Sequence, residues 1–389
     1  MSEIKKLIER LCPDGVEYKT IKDTVGLNRG RRLTKNVLTE DGLYEVYHGS
    51  KDTPLGLYHD FNAPKNTTIV VNTGGIGGVK FLEREFWCSD GSFWLGHDDN
   101  IHPKFLYYYL SQFEAYFLSK KRVGGVPTID RSVVEDFEIP VPPIEVQSKI
   151  VEILDNFTEL EAELEAELEA RRKQYEYYRN QLLTFDKVGG ARFERLKDVF
   201  EMRNGYTPSK NNSSFWDNGI IPWFRMEDIR ENGRLLSDSI QHIAPSAIKG
   251  KGLFKANSII LATSATIGEH ALISVEHLSN QRFTNIYPKK NFLEIIDMKF
   301  IFYYMFIIDE WCKQHTQQGS FASVDMNALY NLLVPIPPLS EQKRIVSILD
   351  RFEALTTDLQ SGLPAEIEAR RKQYEYYREQ LLTFKRKTA

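Results

Sequence analysis

Residues 170–185 read ARRKQYEYYRNQLLTF and residues 369–384 read ARRKQYEYYREQLLTF, changed only where Glu379 stands for Asn180. Coincidence does not produce such a match, so the chain contains an internal duplication. The likeness continues upstream in weaker form. IPVPPIEVQSKIVEILDNF at 139–157 answers VPIPPLSEQKRIVSILDRF at 334–352, and GGVPTID at 124–130 answers GSFASVD at 319–325. Two similar modules therefore lie in tandem, each a variable body followed by a nearly fixed tail. At the front, IKD at 21–23 and LKD at 196–198 stand 175 residues apart, and the same offset sets Leu7 and Ile8 opposite Leu182 and Leu183. The first residues echo the end of the central tail. That pattern predicts a cyclic arrangement, in which the N-terminal helix completes the C-terminal one.

The tails read as long helices. Pro142-Pro143 and Pro337-Pro338 should stop the extended FEIPV and LLVPI segments and permit a helix immediately afterwards. Ile150, Ile153, Phe157, Leu160, Leu164 and Leu168 then step by threes and fours, and Tyr175, Tyr178 and Leu182 resume the rhythm. This is a heptad seam with a stutter. The second tail repeats it with Ile345, Ile348, Phe352, Tyr374, Tyr377 and Leu381. A helix from about 144 to 183 would be roughly 60 Å long. Its middle, ELEAELEAELEA at 159–170, presents a Leu stripe, an Ala stripe and two columns of Glu whose like charges repel along the helix. Glu167 before Arg171 and Glu169 before Lys173 relieve that repulsion at the C-terminal end. Asp130 and Asp325 are offset by 195 residues but Phe185 and Phe384 by 199, so the second tail holds four extra residues, the length of one ELEA word. Gly362 and Pro364 predict a break or kink near Pro364. Two such helices in one chain most naturally pair with each other, antiparallel; a homo-oligomeric coiled coil is the plainer alternative.

The bodies mix short strand-like runs (TTIVVN at 67–72, NSIILA at 257–262, NIYP at 285–288) with Gly- and Asn-rich turns and the helical patterns PKFLYYYLSQF and MKFIFYYMFI. The expected fold is α+β: two globular domains separated by two long helices that pair as an antiparallel coiled coil, in a pseudo-twofold, cyclic repeat. The expected boundaries are an N-terminal helix at 1–14, a first domain at 15–143, a central helical spacer at 144–185, a second domain at 190–338 and a C-terminal helical spacer at 339–385.

No catalytic constellation emerges. CPDGVEYK at 12–19 has the letters of a nuclease metal site, but Asp14-Gly15 is a turn signal only three residues before Glu17. GGIGGVK at 74–80 fits neither phosphate-loop template and reads as a tight turn after TIVVN. The eight histidines show no metal-ligand spacing, and Cys12, Cys88 and Cys312 lie too far apart for a zinc or redox motif. Neither Pro-Pro pair has the preceding Asn or Asp and following aromatic of DNA amino-methyltransferases. No metal and no catalytic residue is expected. The N-terminus lacks the apolar core of a signal peptide, and no stretch is long and apolar enough for a bilayer, so cytoplasmic residence without membrane contact is expected.

A net charge of -4 denies the chain a strongly positive overall field, so any polyanion-binding surface must be local. Two loops qualify. GLNRGRRLTKN at 26–36 carries Asn28, Arg29, Arg31, Arg32 and Lys35, and MRNGYTPSKNN at 202–212 carries Arg203, Asn204, Lys210 and Asn211 in the corresponding place. Arg225 in PWFRMEDI and Asn280, Gln281 and Arg282 in SNQRF add to them. Lys and Arg neutralise phosphates, while Arg reads guanine and Asn or Gln reads adenine in the major groove. Solvated loop charges are the bland alternative for any one of these residues.

The paired IPVPPIEVQSKIVEILD and VPIPPLSEQKRIVSILD segments, each closed by RRKQYEYYR and QLLTF, resemble the conserved regions of specificity subunits of type I restriction-modification systems. The resemblance covers essentially the whole chain. It implies two target recognition domains, each reading one half of a bipartite site in double-stranded DNA, and helices that hold the halves apart and dock two methyltransferase subunits. Restriction subunits would join that complex. S-adenosylmethionine, ATP and Mg would then be bound by the partners, with no cofactor on this chain. On that reading the ELEA words are helical turns inserted between two readers, and deleting residues 163–166 would shorten the gap between intact half-sites. The competing readings are a self-sufficient DNA-modifying enzyme and a coiled-coil scaffold that binds only proteins.

Overall fold

A computed structural model describes residues 2–122, 124–185, 191–317, 322–357 and 362–387. The chain forms two compact units, residues 1–165 with 366–389 and residues 166–365.

In the first unit the elements run α1 (Ser2–Leu11), β1 (Tyr18–Thr20), β2 (Leu27–Arg29), β3 (Tyr44–Tyr47), β4 (Gly56–Tyr58), β5 (Thr67–Val71), β6 (Val79–Leu82), β7 (Trp87–Cys88), β8 (Ser92–Leu95), α2 (Pro103–Ser111), α3 (Glu114–Ser119), α4 (Arg131–Glu135), β9 (Glu138–Pro140) and the start of α5 (Ile144–Leu182). A four-stranded sheet has the order β2-β8-β5-β6, a three-stranded sheet the order β4-β3-β7, and β1 pairs with β9. The run TTIVV becomes strand β5, buried at every position. Strand alternation explains how both faces are buried. Val70 points into a core shared with Phe105, Leu106 and Leu110 of α2, while Ile69 joins Tyr47, Phe86 and Cys88 on the other side.

The second unit continues α5 and then repeats the plan through β10 (Arg192–Arg195), α6 (Leu196–Val199), β11 (Phe200–Asn204), β12 (Ile221–Phe224), α7 (Met226–Asn232), β13 (Leu235–Leu236), β14 (His242–Ile243), β15 (Ser258–Ala262), β16 (His270–Ile273), β17 (Leu278–Ser279) and β18 (Phe283–Pro288). There follow α8 (Met298–Gln314), β19 (Thr316–Gln317), β20 (Ser323–Val324), α9 (Met326–Tyr330), β21 (Leu333–Ile336) and α10 (Leu339–Thr357). The final helix, α11 (Leu363–Leu382), belongs mostly to the first unit. The order β11-β18-β15-β16-β13 matches the first sheet with one strand added, and β14-β12-β17 matches the small sheet. Ile259 and Leu261 of β15 face the α8 core, and Ile260 and Ala262 face Phe224, Met226 and Ile229. Asn66 and Asn257 precede the two central strands with φ of 55° and 57°, the left-handed region that Asn tolerates better than branched residues.

The predicted turn at GGIGGVK is the loop closing the β5–β6 hairpin. Gly77 has φ 84°, and a Cβ there would lie 2.7 Å from Glu114 O. Gly268 repeats the arrangement against Asp309 O at 2.6 Å. These glycines press a loop onto a helix, a packing role with no phosphate required. Gly15 turns the chain at φ 99° against Lys385 and Lys387, and Glu17 pairs with Lys19 at 3.5 Å. Among the described residues no group of three or more His, Cys, Asp or Glu is placed to hold a metal. Cys88 and Cys312 are buried and Cys12 is half-buried, all as free thiols. Among the described residues no helix is long and apolar enough to cross a membrane.

The helical reading of the tails holds in detail. Helix α5 spans Ile144–Leu182, starting directly after Pro142-Pro143. In the first unit Phe157 lies 5.4 Å from Tyr377 and 6.4 Å from Tyr374, and Arg371 bonds Glu161 at 2.6 Å and Glu165 at 2.5 Å. Numbers rise along α5 as they fall along α11, so the pair is antiparallel. In the second unit Tyr178 stacks on Phe352 at 5.8 Å, and Tyr175 and Leu183 share a core with Ile345 and Leu349. The seam is richer than the heptad reading: Val151 and Leu154 are buried beside Ile150, while Leu160, Leu164 and Leu168 are only half-buried. The expected interruption is a break rather than a kink: α10 ends at Thr357 and α11 begins at Leu363, just before Pro364. Pro364 stands in the first turn of α11, where a missing N–H leaves no bond unmade. Residues 358–361, where part of the extra length falls, and Gly319, Ser320 and Phe321 of the GSFASVD match lie outside the described residues.

The cyclic echo is realised inside the first unit. Val16 N donates to Lys385 O at 2.8 Å and Lys387 N donates to Val16 O at 2.9 Å. Arg386 pairs with Glu138 at 2.6 Å and lies over the Tyr18 ring at 4.3 Å. Ile4 of α1 shares one core with Leu381, Leu382 and Phe384.

Candidate nucleic-acid interface

Each body is fastened to its helix by the same polar residues of the duplicated tail. Gln147 is fully buried; its Oε1 accepts from His102 N at 2.8 Å, and its Nε2 donates to Asn100 O and Pro142 O, each at 2.7 Å. Gln342 repeats this with Asp297 N, Ile295 O and Pro337 O, all at 2.8 Å. Asp155 accepts from Tyr108 and Lys104, and Asp350 accepts from Tyr303 and Lys299. With every donor and acceptor met, a buried amide holds the helix start rigidly. Sequence reasoning passed over these four residues. Their signal was polar letters repeated in place within apolar stripes, PPIEVQ with PPLSEQ and ILD twice.

In the second unit three segments converge at one end of the small sheet. The first follows β11, where Gly205 N donates to Phe283 O at 3.0 Å and Tyr206 N to Ser279 O at 2.8 Å. A Cβ on Gly205 would lie 2.2 Å from Ser279 O, so only glycine lets the chain cross there. The second is Arg225, just past β12; Asp228 accepts from Arg225 N and Ile240 N at 2.6 Å each and fixes the backbone. The third joins β17 to β18. Asn280 N donates to Phe224 O at 3.0 Å, Asn280 Oδ1 accepts from Arg282 N at 3.0 Å, and Thr207 donates to Gln281 Oε1 at 2.5 Å.

Together they line an open hollow of about 640 Å³ containing Lys210, Arg225, Asn280, Gln281 and Arg282, walled by Trp216 and Trp223. The two indoles meet edge to face at 5.1 Å, and Trp223 Nε1 donates to Tyr206 O at 3.0 Å. The Arg225 guanidinium sits 5.6 Å from the Trp223 ring centre and 3.9 Å from Glu227. Lys210 and Arg282 are exposed and have no carboxylate partner among the described residues. An aromatic wall with unspent cations and side-chain amides can take a polyanion and present hydrogen-bonding groups to base edges.

Three predicted residues are placed differently. Arg203 turns away: it donates to Gly252 O and Leu253 O at 3.0 and 3.3 Å, covers the Phe254 ring at 4.2 Å and lines a separate hollow with Lys251, Lys255 and Lys289. Burial holds its pKa below the usual guanidinium value. The Asn204 carboxamide accepts from Thr284 at 2.8 Å. Asn211 is exposed outside the hollow. Thr207, Trp216 and Gln241 line the hollow although the sequence reading did not select them.

In the first unit the predicted loop is an exposed basic strip. Gly30 N donates to Ser92 O at 3.2 Å and Arg31 N to Cys88 O at 2.8 Å, while Trp87 Nε1 donates to Arg31 O at 2.7 Å. A Cβ on Gly30 would meet Ser89 O at 1.9 Å. Arg29, Arg31, Arg32 and Lys35 are exposed and carry no ion pair among the described residues; Asn28 is half-buried on β2.

Two repeated α+β units, each with a loop-built polar face and a helical tail, define a two-module recognition protein. Residues 13–170 and 191–369 match the family described as type I restriction modification DNA specificity domain, and the chain belongs to that family. It is 37% identical over 355 residues to the Escherichia coli EcoR124I/EcoR124II specificity subunit, covering 87% of this chain and 82% of that one. With the Escherichia coli EcoprrI specificity subunit it shares 55% identity over 197 residues, about half of each chain. A solved structure from a study of type I restriction-modification assembly aligns with TM-score 0.66 and 18% identity over 95% of this chain and 97% of the other. That likeness extends to the fold. The chain is a DNA-sequence specificity component of a type I restriction-modification complex, not the catalytic one.

Proposed function

We propose that the body of each unit reads one half of a bipartite sequence in double-stranded DNA, and that the long helices set the distance between the halves and dock two methyltransferase subunits. Restriction subunits join the same complex. S-adenosylmethionine, ATP and Mg belong to those partners, and the complex works in the cytoplasm. The observation that carries this reading is the gathering of Lys210, Arg225, Asn280, Gln281 and Arg282 around one open hollow from three separate loops. Lys210 and Arg282 contribute no ion pair among the described residues, so their charge is unspent within the body. In the first unit the strip of Arg29, Arg31, Arg32 and Lys35 supplies the cations.

The spacer role rests on length. Each ELEA word adds about 6 Å of helix, comparable with one to two base-pair steps of about 3.4 Å. Half-sites one helical turn apart face the same side of the duplex, so small changes of length matter. The test is reconstitution with methyltransferase subunits followed by mapping of methylated adenines. A two-part motif with an unspecified gap is expected. Methyl transfer or DNA cleavage by the purified chain alone would overturn the proposal in favour of a self-sufficient enzyme.

A further inference from the structure

The register of the small sheets makes the two bodies comparable residue by residue. In the second unit Phe224 of β12 lies beside Ser279 of β17; in the first, Tyr47 of β3 lies beside Cys88 of β7. The next bond repeats as well, Asn280 N to Phe224 O at 3.0 Å and Ser89 N to Tyr47 O at 2.9 Å. His48 therefore occupies the place of Arg225, and Ser89 and Asp90 occupy the places of Asn280 and Gln281. Gly30 and Arg31 stand for Gly205 and Tyr206 by the bonds already given.

These first-unit residues form a cluster that the basic-loop reading never touched. Gly91 N donates to His48 Nδ1 at 3.2 Å, and Asp90 Oδ1 lies 3.3 Å from the same ring nitrogen. Ser89 Oγ lies 3.2 Å from His48 Nδ1 and donates to Asp90 Oδ1 at 3.2 Å, and Leu33 N donates to Ser89 Oγ at 3.3 Å, tying the cluster to the basic loop. The His48 and Asp90 side chains remain 39% and 31% exposed, enough to be reached. No described residue bonds His48 Nε2.

We infer that His48 and Asp90 are the base-reading pair of the first unit, set against base edges while Arg29, Arg31, Arg32 and Lys35 hold the phosphates. The inference rests on the DNA reading proposed above. Charge is distributed differently on one frame. The first unit puts four cations on the first loop and a carboxylate on the third, whereas the second unit has a single cation of the hollow, Lys210, on the first and the others, Arg225 and Arg282, on the second and third. A carboxylate at a groove is repelled by phosphates, and its complement among base edges is an amino group, cytosine N4 or adenine N6. The His48 Nε2, with no partner among the described residues, adds a second polar group for a base edge. The half-site read by the first unit thus contains a position that requires an amino group in the major groove.

The experiment uses the full chain reconstituted with methyltransferase subunits. Asp90→Asn and His48→Gln are compared with wild type, with Arg282→Ala as a second-unit control, by methylated-adenine mapping, DNA affinity and thermal unfolding. Asp90→Asn should relax the preference at one base pair by about tenfold or more, and in the half-site that Arg282→Ala leaves alone. An unchanged motif in both first-unit variants, or uniform loss of affinity without a change of motif, overturns the inference. In that event a motif altered by Arg282→Ala leaves the broader DNA reading standing. Absence of sequence-selective methylation by the wild-type complex overturns that reading itself.

Discussion

Tyr108 donates its hydroxyl proton to Asp155 at 2.5 Å, joining α2 of the first body to α5. Tyr303 and Asp350 repeat the contact at 2.6 Å in the second unit. With Gln147 and Gln342 these are the places where a reading body is made rigid with its helical arm. A ruler is only as accurate as its joints, so their removal should affect both stability and function.

Gln147→Leu strips Asn100 O, Pro142 O and His102 N of their partner inside a buried site. Unmet buried groups cost about 1–3 kcal/mol each before relaxation, so a loss of about 3 kcal/mol is expected for the first unit. Denaturant unfolding checks it, with exposed Gln181→Leu as the control expected to stay within about 0.5 kcal/mol of wild type.

Gly205→Ala places a methyl 2.2 Å from Ser279 O, which the backbone can relieve only by moving the loop. The expected result is a folded protein, less stable by about 2 kcal/mol, whose reconstituted complex binds DNA more weakly. Wild-type affinity in this variant would show that the loop's position does not matter to reading.

Lys210→Ala and Gln281→Ala should fail in different ways. Lys210 has only charge to offer, so its loss should weaken binding to all sequences alike and reduce the salt dependence by about one unit of slope. Gln281 presents an amide held by Thr207; its loss should relax preference at one position of the second half-site. Affinity measured against salt and against single-base variants separates the two.

Acid should weaken the second unit. Burial holds His277 neutral, with its pKa pushed down to about 4 from 6.5, and desolvation also lowers His270. The folded pKa lies below the unfolded one, so the contribution is complete above pH 6.5 and is lost as pH falls toward 4, because the unfolded chain takes the proton first. For His277 this amounts to about 3 kcal/mol across that window. His277→Phe should flatten the pH dependence of unfolding; an unchanged slope would contradict the assignment. The first unit has no fully buried histidine among its described residues.

Much of this architecture is written in the sequence because it is written twice. Duplication exposed the tails, and the three-four rhythm from Ile150 to Leu182 gave α5 almost to the residue. The first basic loop stands out in the sequence because four cations fall within seven residues, Arg29 to Lys35. What stayed hidden was long-range. Arg203 has the same letters as its neighbours, yet the carbonyls of Gly252 and Leu253, some fifty residues on, decide its fate. His48 and Asp90 lie forty-two residues apart and meet only because β3 and β7 pair in parallel. Local composition carries no trace of such pairing.

The spacer claim has its own signature. Arg371 forks across Glu161 and Glu165, one ELEA word apart. Every word offers the same Glu at the same helical place. Removing residues 163–166 therefore leaves Glu161 and Glu169 one turn apart, with a Leu between them as before. Helix pairing should survive the deletion while the arm grows shorter by about 6 Å. The direct measurement is adenine-methylation mapping of the complex carrying that deletion beside the wild type. The account predicts both half-sequences unchanged and fewer unspecified base pairs between them; altered half-sequences, or an unchanged gap, would contradict it.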